Sequence, residues 1–365
     1  MNTIPSLLSR TTSLIKSMLL MTLLLILILT CSACSKLKDT NDTLRLYLES
    51  DPITLDPALI TDVRSGRLSA LIYNNLFKYD YDLRLKPDLV ESWSISPDHL
   101  LYSFTLKDSV YFSSGKKLST ADIQYTFYRL LDKKTRSPRA WILYHIEGAK
   151  DYRDGKTDHI SGLILKDSLH FSIRLEKPYS PFLSLLTMPN AAIIPSGNNS
   201  TDFSEHPVGT GPFILTFWKH DYEIFFTSNI HYFSGSPKTR SISYKIIKEP
   251  LFVSSEFRRG RIDIMQIPGP ELPLYRNDPS YAENIKVQNE LNVYYMGFNC
   301  QNIPFSHLET RQAIIYGIDK EILINTLRKD RVIMLNSPIP QGIPGYDNSA
   351  PKHQFAPSKT KKIIN

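Results

Sequence analysis

Residues 87–131 read PDLVESWSISPDHLLYSFTLKDSVYFSSGKKLSTADIQYTFYRLL, and they carry extended runs, a turn and a helix start without interruption. Leu101 to Leu106 alternates apolar and polar residues, and Val110 to Phe112 is a second short extended run. Ser113-Ser114-Gly115-Lys116-Lys117 supplies turn chemistry after it, so the spacing predicts a β-ribbon. Ser119 stands three residues before Asp122, the spacing of a side-chain capping box. Ile123, Phe127, Leu130 and Leu131 follow at helical spacing, which predicts an amphipathic helix fed by the ribbon.

Fourteen positions of this stretch, among them Pro87, Leu89, Ser92, Trp93, Tyr102, Phe104, Val110, Phe112, Gly115 and Asp122, stand at the spacing of a known pattern. The stretch resembles the family 5 extracellular solute-binding proteins, the oligopeptide- and dipeptide-binding components of ABC importers. The resemblance implies a two-lobed α/β fold of the class II periplasmic-binding type. It also implies a protein that captures a peptide between its lobes and is not an enzyme.

The chain opens on an export signal over residues 1–33, with Arg10 and Lys16 ahead of an apolar run from Met18 to Leu29 that is short for a bilayer span. Cys31-Ser32-Ala33-Cys34 closes it and resembles a bacterial lipobox with Cys34 as the lipidated residue. Cys31 stands where a typical lipobox has Leu, so an ordinary cleaved signal or an uncleaved anchor is the alternative. Lipid at Cys34, palmitate included, would tether the protein to a cell membrane on the periplasmic side. Cys300 then remains alone, no internal disulfide is available, and stability must come from burial.

The formal charge of +7 falls to about +5 once Arg10 and Lys16 leave with the signal. Basic residues are scattered among acidic ones, a solvated mixed surface rather than a nucleic-acid footprint. Hydrophobic residues at 42% and aromatics at 11% fit an ordinary globular chain. No cofactor is expected, and the nine dispersed His residues argue against a His-lined metal site.

Thr43 to Leu48 alternates and reads as the first strand, followed by turns at Asp51-Pro52 and Asp56-Pro57. Leu68, Leu71, Ile72 and Leu76 predict an amphipathic helix ending near Phe77 to Asp80. In the family the loop before it borders the ligand, which makes Asp62 a candidate ligand residue. Its alternative is an N-cap or a solvated carboxylate. SPRAWILY, residues 137–144, places Trp141 and Tyr144 three apart on an expected helix, as ligand contacts by resemblance or as core by packing. Leu169 to Leu175 reads as a half-buried strand. HPVGTGPF, residues 206–213, lacks the donors and the helix of a phosphate loop and reads as a structural return into the first lobe. Ser243 to Ile247 is a further strand, and Gly260 is placed as a helix C-cap before another.

YYMGFNCQNIPF, residues 294–305, resembles the opening of the family's second lobe and makes Phe298 and Asn299 candidate ligand residues. Gly297 stands where some oligopeptide binders carry an acidic group. Ser306 and Glu309 are spaced as a capping box. The resulting division is a signal at 1–33, a first lobe at 34–288 with a subdomain inserted at about 80–205, and a second-lobe start at 289–365. Family members continue well past the point that Ala356 to Asn365 resembles, so the second lobe is expected to be incomplete and the product to be weak or inactive alone. The partners implied are a peptide, an ABC permease in the inner membrane and the membrane itself, with the protein a monomer. Relatives that bind nickel or haem keep those ligands open, and His145 would be their contact. Two S-x-x-K matches in residues 113–117 raise a penicillin-interacting enzyme, but they fall in a ribbon turn without partner motifs.

Overall fold

The computed structural model describes residues 42–197, 202–288, 290–328, 331–343, 345–351 and 354–364. The expected signal segment, residues 1–33, and the expected lipidation site Cys34 lie outside these residues. Strand β1 (Thr43–Leu48) forms as the alternation predicts, and helix α1 (Val63–Ile72) follows. Strands β2 (Phe77–Tyr79), β3 (Leu85–Pro87), β4 (Val90–Ile95) and β5 (Leu101–Leu106) precede helix α2 (Thr120–Leu131). Strands β6 (Leu163–Leu165) and β7 (His170–Arg174) come next, then β8 (Phe213–Lys219), β9 (Glu223–Ser228) and β10 (Ser241–Ile246). Helix α3 (Pro250–Arg258), helix α4 (Leu308–Gly317) and helix α5 (Pro357–Ile364) complete the main elements.

One sheet has the order β1-β10-β9-β8, with β1 and β10 parallel and the other pairs antiparallel. A second, wholly antiparallel sheet has the order β4-β5-β7-β6, and β2 with β3 forms a separate ladder. Two apolar cores follow this division. One gathers Leu48, Leu68, Ile72, Phe203, Ile224 and Phe226 under the first sheet. The other packs Phe77, Phe104, Phe127, Phe171 and Phe182 between the second sheet and α2.

The opening stretch is organised differently from a simple ribbon. Strand β5 pairs with β4 and β7, while 110–118 closes on itself through Leu118 N to Val110 O and Phe112 N to Lys116 O. Val110 to Phe112 is too short to hold a ladder with β5, and Gly115, at φ +85°, turns it back on Lys116 instead. The capping box of Ser119 and Asp122 forms, and Asp122 is fully buried because Lys116 Nζ, Ser119 N and Ser196 N all donate to its carboxylate.

Four other expectations are corrected. Helix α1 stops at Ile72, and Leu76 is buried on the approach to β2 rather than on the helix. Residues 140–143 form a tight 3-10 turn instead of an α-helix. Helix α4 has His307 at its N-cap without a side-chain cap, while Arg311 Nη1 donates to the carbonyls of Phe305 and Ser306. Gly260 takes the left-handed conformation predicted for it, but the residues after it form no named strand and meet β1 through single hydrogen bonds such as those of Asp263.

Candidate functional site

The loop from Ile53 to Val63 is built almost entirely from inward-facing hydrogen bonds. Asp56 caps a single turn, Pro57–Leu59, by accepting from Ala58 N at 3.1 Å. Arg129, in the last turn of α2, donates both arms of its guanidinium to Asp56, at 2.8 and 2.6 Å. The pair is largely buried, and Arg129 also lies over the Phe203 ring, 4.4 Å from its centroid. Burial alone lowers the Arg129 pKa, but the hydrogen bonds and charge of Asp56 more than offset it and hold the guanidinium above its ordinary value. The Asn190 amide donates to Pro57 O at 2.8 Å and Ile60 O at 3.0 Å, and the Ser137 hydroxyl donates to Ala58 O at 2.6 Å. Tyr73 is buried near this pair with no hydrogen-bond partner for its hydroxyl among the described residues. Burial chiefly, and the Asp56 charge in addition, push its phenol well above the usual value.

Asp62 is the N-cap of α1. Its Oδ1 accepts from Arg64 N at 3.1 Å and Ser65 N at 3.0 Å, and its Oδ2 accepts from the Ser65 hydroxyl at 2.5 Å. A carboxylate oxygen accepts about two hydrogen bonds, so Oδ1 is filled and Oδ2 has room for one more donor. The Ser65 hydroxyl in turn accepts from Ile53 N at 3.0 Å, which fixes Ile53 beside the cap. Ile53 and Val63 nevertheless expose 68% and 74% of their surface, and Leu59 is exposed with them.

The other candidates divide into two groups. The Ser137 contact brings the 137–144 segment against the 57–62 loop, with Trp141 41% exposed and Tyr144 packed on the second core. Beside them the His145 ring stacks on Tyr179 with centroids 3.7 Å apart. Phe298 and Asn299 make local contacts only. Phe298 packs on Phe305 at 5.2 Å, and the Asn299 carboxamide accepts from Gln301 N at 3.1 Å. The Ser137 contact therefore ties the segments of Asp62 and Trp141 together, and no described contact joins Phe298 or Asn299 to either. Sequence reading singled out Asp62 but missed Arg129, Ser137 and Asn190, which lie 73, 79 and 130 residues or more from the carboxylate and the carbonyls they hold. No local spacing signals such partners.

The residues of the S-x-x-K matches are used elsewhere: Lys116 Nζ binds Asp122 and Ser196, and Lys117 Nζ binds Asp108 at 2.6 Å. No helix begins at Ser113 or Ser114, as an activated nucleophile of that class requires. Residues 206–213 form the structural return expected of them. Ser113 N donates to Gly209 O, Gly211 N donates to Ile72 O, and Thr210 Oγ1 donates to Asn74 Oδ1. No group of three or more His, Cys, Asp or Glu suited to a metal ion occurs among the described residues.

Two sheets over two cores, with β1 and β10 brought parallel by the long connection between them, make a mixed α/β fold. Residues 84–365 match the bacterial extracellular solute-binding proteins, family 5 Middle, and the chain belongs to that family. It is 27% identical over 335 residues to the probable D,D-dipeptide-binding periplasmic protein of Escherichia coli (strain K12), covering 88% of this chain and 61% of that protein. The Helicobacter pylori periplasmic binding protein DppA, solved with the peptide STSA, superposes with a TM-score of 0.76 at 26% identity, covering 88% and 65% of the two chains. NikZ from Campylobacter jejuni, solved with Ni(L-His), superposes with a TM-score of 0.72 at 26% identity, covering 88% and 62%. These neighbours are two-lobed periplasmic binding proteins. The chain spans under two thirds of the length of each of these three proteins.

Proposed function

We propose that this chain is the peptide-capturing component of an ABC importer, holding an extended peptide against the 53–63 loop and the Trp141 segment and delivering it to a permease. The family match over residues 84–365 carries this reading, and the likeness to a binding protein solved with a tetrapeptide supports it. A peptide bound through its main chain suits such a site, because side chains can vary while backbone groups are paired. Asp62 Oδ2, with one acceptor site open, suits an ammonium group, and Phe298 and Asn299 would reach the ligand only from a second lobe closing over it. The division into signal, first lobe to residue 288 and second-lobe segment from 289 belongs to the same reading. So do a monomeric state and a periplasmic location anchored by lipid at Cys34.

Calorimetric titration of the purified chain with di- to pentapeptides tests the cargo. Heats of binding in the micromolar range or tighter support the reading. No peptide heat combined with tight binding of a nickel–histidine chelate sinks it in favour of a metal-chelate binder, the second reading that the Campylobacter neighbour favours. Incorporation of labelled palmitate in the wild type and its loss in Cys34→Ser tests the anchor. Label that survives in Cys34→Ser and disappears in Cys31→Ser would move the site to Cys31.

A further inference from the structure

The 53–63 loop presents a contradiction in a molecule considered without its ligand. Its carbonyls are bonded inward: Asp56 O accepts from Leu59 N, Pro57 O from Ile60 N and Asn190, Ala58 O from Ser137, and Ile60 O from Asn190. Two of its polar side chains, Asp56 on Arg129 and Thr54 Oγ1 on Ser204 Oγ at 2.6 Å, also face inward. The apolar side chains left facing water are Ile53, Leu59 and Val63, with Thr61 exposed between them, and Trp141 is exposed in the segment that Ser137 ties to this loop. Such an arrangement stabilises nothing in the free chain, since apolar groups gain only when they are covered. It suits a wall formed in advance of binding, whose ordering entropy is spent during folding rather than on ligand capture.

Arg129 is the centre of the arrangement. It joins the loop, through Asp56, to the end of α2 and to Phe203, and its planar fork meets both carboxylate oxygens at once. The last turn of a helix also favours its positive charge.

We propose that Arg129 is a positioning residue for ligand capture: by clamping Asp56 it holds residues 53–63 in the conformation that turns Ile53, Leu59 and Val63 outward as a pre-formed apolar wall for a peptide's side chains. The affinity half of this statement rests on the peptide-binding reading above. The conformational half stands on the hydrogen bonds alone.

The test compares the full chain with Arg129→Lys, which keeps the charge and loses the fork, and with Arg129→Gln. Lys116→Gln, which breaks the ion pair to the buried Asp122 at the start of α2, serves as control. Amide hydrogen exchange is read at Leu59 and Ile60, whose N–H groups close the loop, and peptide affinity is read by calorimetry. Both Arg129 variants should speed exchange at these amides by roughly tenfold or more while the β4-β5-β7-β6 sheet is unchanged. Peptide affinity should fall by roughly tenfold, the loss of a preorganised surface, and Lys116→Gln should do neither. If Arg129→Gln does not fold, Arg129→Lys decides. Unchanged exchange at Leu59 and Ile60, or equal acceleration throughout the chain, overturns the clamp. Selective loosening with unaltered peptide affinity overturns its part in ligand capture. A wild type that binds no peptide refutes the proposed function instead, and the exchange result still decides whether Arg129 sets the loop.

Discussion

Gly209 and Gly211 show how far a single hydrogen atom can be required. A Cβ at Gly209 would stand 2.1 Å from Ile72 O, and one at Gly211 would stand 2.4 Å from the Ile72 carbonyl carbon. Both obstacles are backbone at the end of α1, so no side chain can swing aside. Gly209→Ala should therefore destabilise the protein by about 1–3 kcal/mol, read as a lower urea midpoint with an unchanged slope. A midpoint equal to the wild type would mean that the return loop can shift away from α1. The pattern of residues 206–213 signalled a structural role, and the absence of a phosphate loop was legible from Pro212. The identity of the obstacle was not, because Ile72 is 137 residues away in the chain. Asp62 shows the converse: its capping geometry is local and could be read from the helix start that follows it.

At the scale of elements, the critical boundary is the free edge of β1. Its inner edge pairs in parallel with β10, and its outer edge would expose bare backbone donors and acceptors. Asp263 closes it. Arg45 N donates to Asp263 Oδ2 at 2.7 Å, Asp263 N donates to Arg45 O at 2.8 Å, and the Arg45 guanidinium reaches Oδ1 at 2.6 Å. The hydrogen bond from the Arg45 side chain is the main reason that the Asp263 carboxyl is held below its ordinary pKa. A carboxyl depressed in the folded state contributes stability that is present above its unfolded value, about 3.9, and is lost as pH falls through the folded value. The expected effect is confined to acid below about pH 4, and it is small because both side chains are about a third exposed. Urea midpoints should fall less steeply from pH 4 to pH 2.5 in Asp263→Asn than in the wild type. Parallel profiles would show that the pair does not titrate with folding.

For the whole molecule, the distribution of burial is uneven. The two cores lie within residues 48–244, whereas in the segment from residue 290 onward Ala313 is the one apolar residue fully buried among those described. Tyr294 and Tyr295 expose 75% and 85% of their surface, with Met296, Leu291 and Ile303 exposed near them in sequence. The backbone of 290–299 carries no ladder pairing in the described residues. An uncovered apolar run promotes association. Sedimentation velocity should show the monomer at low concentration and a self-association that appears only as concentration rises and weakens in Tyr295→Lys at an unchanged melting temperature. A wild type that stays monomeric at every concentration would show that this surface is inert.

The sequence by itself determined the local events: the strand at 43–48, the Ser119–Asp122 cap, the helix it starts, the turn glycine at 260 and the family pattern between Pro87 and Ile123. Each depends on residues a few positions apart, where alternation, capping spacing and backbone preference act directly. Only the tertiary structure decided which strands pair with β5, that 140–143 tightens to a 3-10 turn, and that Arg129, Ser137 and Asn190 converge on the 57–62 loop. Those outcomes depend on which buried polar groups find partners across more than 70 residues of chain. Burial makes an unpaired group costly wherever its partner happens to lie in sequence, and the linear pattern carries no record of that distance.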